Sequence, residues 1–193
     1  MSGGRVAAPN AWGAVAWRGS GVKAEEKTYS RYSVRRGIEN TARFVENADA
    51  FSQGPGLIQV DKAFEHLVTH ADATAEQLRF DVSIASRGNA RGLYLREAAE
   101  TQQAVTSTVR VRPVFPEGSK SRSKADFEMR IALEASQPWI ETGGHLVLTS
   151  GGRTFQVHID CGELEPGVHV GEVLGFDDAH RERGPLFRVP VTV

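Results

Sequence analysis

The 193-residue sequence contains a single cysteine, Cys161. One thiol excludes an intrachain disulfide and a zinc site built on paired cysteines, and it fits a reducing compartment. Net charge is nearly absent: 23 basic and 24 acidic residues leave −1 at pH 7. No global field therefore speaks for nucleic acid or an anionic membrane as a partner. No apolar run approaches the roughly 20 residues that span a bilayer. The opening Met1-Ser2-Gly3-Gly4-Arg5-Val6-Ala7-Ala8-Pro9 lacks an apolar core long enough for a secretory signal. Internal repeats are missing too. These absences point to a soluble, cytoplasmic chain. What remains is ordinary: an apolar fraction of 40% suits one large domain, or one domain with a piece of another.

The most informative stretch is Gly54-Pro55-Gly56-Leu57-Ile58-Gln59-Val60-Asp61-Lys62-Ala63-Phe64-Glu65-His66-Leu67. It reads as a glycine loop, a short apolar segment and a helix opened by Gln59 or Asp61. Ala63, Phe64, Leu67 and Val68 recur at helical spacing and give that helix one apolar face. Upstream, Ala11, Trp12, Val15 and Ala16 predict a helix within residues 7–22, with Pro9 in its first turn and Gly19-Ser20-Gly21 at its end. It is apolar nearly all round, so it should be buried. A second helix is predicted from about Ser30 to Arg43, capped by Ser30 or Ser33. Val34, Ile38, Thr41 and Ala42 should face inward, and Arg31, Arg35, Arg36 and Arg43 should face water.

After the small, polar Ala71-Asp72-Ala73-Thr74-Ala75-Glu76, which reads as a linker, the period changes from helical to twofold. Phe80, Val82 and Ile84 alternate with polar residues. So do Leu93 and Leu95, Val109 and Val111, then Phe127, Met129, Ile131 and Leu133. Leu146 and Leu148 follow, then Phe155, Val157, Ile159 and Cys161. Residues 168–176 and 186–193 complete the set. Seven or eight such strands, about as many as an immunoglobulin-type fold has, argue for a β-sandwich. Ser150-Gly151-Gly152 is the expected hairpin turn between two of them. Gly118-Ser119-Lys120-Ser121-Arg122-Ser123-Lys124 should be an exposed loop.

Catalytic chemistry is hard to assemble from these residues. No Gly-x-Ser-x-Gly elbow is present. His66, His70 and His145 read as helix-face or surface residues. His158 and Cys161 stand three apart on a strand, which sends them to opposite faces and disfavours a metal site. Trp12, Trp17 and Trp139 read as packing residues.

In their order and spacing, these stretches resemble the tripeptidyl-peptidase II family of subtilisin-type serine peptidases. Residues 54–63 are similar to the segment that closes the peptidase domain. Ala8-Pro9-Asn10-Ala11 with Gly13-Ala14 resembles the helix behind the family's nucleophile, where the family reads Gly-Thr-Ser-Met-x-Ser-Pro. Ser33-Val34-Arg35-Arg36 with Glu39-Asn40-Thr41-Ala42 resembles the next helix. Pro113-Val114-Phe115-Pro116-Glu117, Gly171–Asp177 and Gly184–Val191 are similar to the post-catalytic sandwich.

The resemblance implies an α+β fragment. Residues 1–70 would be the last helices of a subtilisin-like α/β domain, 71–75 a linker, and 76–193 an immunoglobulin- or fibronectin-like sandwich. It implies a parent enzyme that removes tripeptides from free N-termini of peptides, acts in the cytoplasm, forms homo-oligomers, and needs no metal or cofactor. The family's aspartate, histidine and oxyanion-hole asparagine precede the matched region. Registered on Pro9, the family serine falls at Arg5, its Gly-Thr at Gly3-Gly4 and its methionine at Val6. A guanidinium stays protonated and cannot accept an acyl group, so the chain is expected to be inactive by itself, with no catalytic, cofactor-binding or metal-binding residue of its own. The other reading is a non-catalytic sandwich module for assembly or partner binding.

Overall fold

The computed structural model describes residues 29–46 and 53–193. The chain divides into two compact units, Met1–Leu78 and Arg79–Val193. Arg5, Trp12, Trp17 and the helix expected over 7–22 lie outside the described residues.

In the first unit, α1 (Arg31–Thr41) starts at Ser30, whose hydroxyl accepts from the backbone N–H of Tyr32 and of Ser33. Ser33 Oγ in turn accepts from the Ser30 N–H at 2.8 Å. This reciprocal capping satisfies helix-start donors that have no carbonyl partner. α2 (Val60–His70) follows Gln59, with Asp61 in its first turn. The two helices meet closely because Gly37 has no side chain: a Cβ there would sit 3.2 Å from Leu67 Cγ and 3.4 Å from Ala63 O. Ala63 and Leu67 are buried, as the helical spacing requires. Gly56 is needed twice over. Its φ is +119°, and a Cβ would meet Arg43 O at 2.5 Å, beside the paired hydrogen bonds of 2.9 and 2.8 Å that Arg43 and Leu57 exchange.

Two expectations fail in this unit. The inner face of α1 is Ser33, Arg36 and Gly37, while Val34 and Ile38 are only half-buried. Residues 71–76 are not a solvated linker. They lead into a single helical turn, α3 (Thr74–Gln77), with Ala71, Ala75 and Glu76 buried.

The second unit holds nine strands in two sheets. These are β1 (Arg79–Ser83), β2 (Leu93–Tyr94), β3 (Val105–Val114), β4 (Glu128–Ala135) and β5 (Ile140–Thr142), then β6 (His145–Thr149), β7 (Arg153–Ile159), β8 (Val170–Asp177) and β9 (Phe187–Thr192). One sheet runs β1-β3-β7-β5 and the other β2-β9-β8-β4-β6. Every pairing is antiparallel except β2 with β9. Alternation places one apolar row of each strand inside: Val109 and Val111, Ile131 and Leu133, Val157 and Ile159, Val189 and Val191.

Rings from both sheets meet at Phe187, whose centroid lies 6.3 Å from Phe80 and 6.4 Å from Phe155. That ring occupies the space a Cβ on Gly175 would need. β8 therefore turns Gly171, Val173 and Gly175 inward and leaves Leu174 and Phe176 half-buried on its outer face. Of the sequence expectations, β5 was not foreseen. Ser150-Gly151-Gly152 makes a turn, Gly152 N–H to Thr149 O at 3.0 Å, but not a hairpin. β6 pairs with β4 and β7 pairs with β3 and β5, so the turn carries the chain from one sheet to the other. Of the loop expected over residues 118–124, all but the half-buried Ser119 are exposed, but Ser121–Ala125 forms a short helix.

Candidate functional site

Each described histidine has neighbours that account for it. His66 and His70 stand one turn apart on α2 with ring centroids 4.7 Å apart, edge to face. His169 Nε2 meets Glu165 O at 2.7 Å and His180 Nδ1 meets Glu182 Oε1 at 3.3 Å. No three His, Cys, Asp or Glu side chains among the described residues are placed to hold a metal ion. His158 stays on the outer face of β7 while Cys161 is buried. Burial, and then the nearby Asp160 charge, push the Cys161 thiol up, away from the reactive thiolate.

One arrangement has the composition of an acyl-transfer triad. Register aligns Glu141 of β5, His158 of β7 and Thr106 of β3 in one row, and Thr106 Oγ1 lies 2.9 Å from His158 Nδ1. Composition is where the likeness stops. Glu141 makes no hydrogen bond to His158, and Thr106 and Glu141 are exposed on a sheet face. An oxyanion needs donors pre-aimed in a water-excluded site, and an open strand face does not provide one. The row is a polar outer face, continued by Thr108 and Gln156 with hydrogen bonds of 3.2 and 3.0 Å.

The most buried ion pair among the described residues sits elsewhere, at Arg36. Its side chain was expected in water, yet Arg36 is 6% exposed. Nη1 donates to Ala75 O at 2.9 Å and Nη2 to Leu78 O at 2.8 Å, while Nη1 lies 3.2 Å from Glu76 Oε2. Glu76 is 1% exposed. Burial draws the Arg36 guanidinium below its ordinary value and the Glu76 charge opposes it. Arg36 thus ties α1 to α3, using its planar fork on two carbonyls and one carboxylate. This is a positioning device without a reacting partner.

A second cluster lies on the outer face of the five-stranded sheet. Asp178 takes Arg130 at 2.9 Å, Arg181 at 3.2 Å and His145 at 3.3 Å, and Arg181 also reaches Glu134 at 2.5 Å. Burial by itself would raise the Asp178 pKa. The Arg181 hydrogen bond, then His145 and Arg130, more than offset this and leave it lowered. Arg5, expected from the resemblance at the nucleophile position, lies outside the described residues. No described helix is long and apolar enough to cross a membrane.

Comparison with known proteins gives a consistent picture. A family model described as tripeptidyl-peptidase II, first Ig-like domain, matches residues 78–193. Tripeptidyl-peptidase 2 of Drosophila melanogaster is 37% identical over 195 residues, covering 100% of this chain and 13% of that protein. Its counterpart in Arabidopsis thaliana is 39% identical over 199 residues, covering 100% of this chain and 14% of that protein. Pyrolysin of Pyrococcus furiosus is 29% identical over 204 residues and covers 92% of this chain. A crystal structure of tripeptidyl peptidase 2 superimposes with a TM-score of 0.89 at 37% identity, over 97% of this chain and 15% of that one. The chain therefore spans only 13 to 15% of the length of these curated relatives and the solved structure.

Proposed function

The chain belongs to the tripeptidyl-peptidase II family through its first Ig-like domain, and we propose that it is part of a tripeptidyl-peptidase II-type serine exopeptidase. In this reading the parent removes tripeptides from free N-termini of peptides, in the cytoplasm and as a homo-oligomer. Residues 1–70 are the closing helices of its subtilisin-like domain, and the sandwich is the module that follows. The observation that carries the proposal is the extent of the match. Relatives named as tripeptidyl-peptidase 2 align over 100% of the chain, beyond the 78–193 span of the sandwich. The pyrolysin likeness supports the subtilisin-type lineage indirectly.

By itself the chain is inactive under this reading. With Arg5 at the nucleophile position, there is no hydroxyl to acylate, and the described histidines are engaged away from any serine. An Ala-Ala-Phe amide reporter should release product only at the background rate. Arg5→Ser alone should restore nothing, because a serine without a base and an oxyanion hole is a poor nucleophile. Turnover blocked by an active-site serine reagent overturns this. The parent assignment is tested by transplanting residues 78–193 into the Drosophila relative in place of its matched segment. Retained tripeptide release supports the assignment, and a folded but inactive chimera contradicts it. A non-catalytic module for assembly is the second reading, favoured by the polar outer face that Thr106, Thr108, Gln156 and His158 form on the sandwich.

A further inference from the structure

We draw no further inference here: the strongest candidate, the arginine-rich patch beside β1 where Arg79, Arg91 and Arg112 surround Asp81, carries nothing, because nothing in the structure shows what covers it.

Discussion

Within the sandwich, most strands contribute a row of apolar side chains, and the three rings Phe80, Phe155 and Phe187 draw on both sheets. Within the helical unit, α1 and α2 meet through Gly37, Ala63 and Leu67, and α1 holds α3 through one buried arginine. The first kind of packing is redundant and spread over many residues. The second concentrates, among the described residues, on a few small residues and one buried ion pair, where geometry replaces bulk. Loss of one side chain should therefore act globally in the sandwich only if it stands at the ring cluster, and locally but severely at Arg36.

The largest effect is expected at that ring cluster. Phe187→Ala empties the space above Gly175 and removes contacts to both sheets. It should destabilise the sandwich by about 3–5 kcal/mol, read as a shift of the denaturant midpoint. A loss well under 1 kcal/mol would mean that Phe187 is not a keystone of the core.

Next comes Arg36→Ala, which strands Glu76 as a buried charge and removes the guanidinium donors from the carbonyls of Leu78 and of Ala75, which keeps the Leu78 N–H at 3.3 Å. Breaking a buried pair in this way costs roughly 3 kcal/mol or more. Hydrogen exchange should quicken across residues 71–78 while the strands keep their protection. Arg36→Met with Glu76→Leu should recover most of the loss, because the desolvation cost of both charges disappears with them. Fast exchange spread equally through the strands would erase the distinction between the two regions.

The smallest effect lies at the surface. The Asp178 pKa is lowered in the folded chain. A carboxylate of that kind contributes stability that is complete above its ordinary unfolded value, about pH 4, and is lost as pH falls through the lowered one. Asp178→Asn should thus be slightly less stable than wild type at neutral pH, with the gap closing in stronger acid. Because the partners are exposed, added salt should shrink the gap as well. A gap that widens in acid would reverse the assigned sign.

Legibility in the sequence followed the same division. Period-2 alternation announced β1, β2, β3, β4, β6, β7, β8 and β9, since each buries one face. β5 escaped because Ile140 is the one apolar residue in Ile140–Thr142. The turn at Ser150-Gly151-Gly152 was readable from its glycines, but turn chemistry does not say which sheet the next strand joins. In the helical unit, Ser30 and the Ala63–Leu67 face were legible from local rules. Arg36 was not, because a charged residue on a helix defaults to solvent and its partners lie far along the chain in a stretch that looks like a linker. Glu76 was hidden for the same reason. Which histidines meet which carboxylates depends on strand register, and no composition reports that.

The central claim is that the sandwich is a self-sufficient folding unit while the helical unit leans on a few special contacts. Thermal unfolding of residues 79–193 and of residues 1–78, each produced alone and followed by near- and far-ultraviolet circular dichroism, tests it most directly. The sandwich segment should show one cooperative transition with fixed aromatic signals. The helical segment should melt without a cooperative transition, because a chain that short buries too little surface to hold itself. A cooperative helical segment, or a sandwich segment with no transition, would contradict the account.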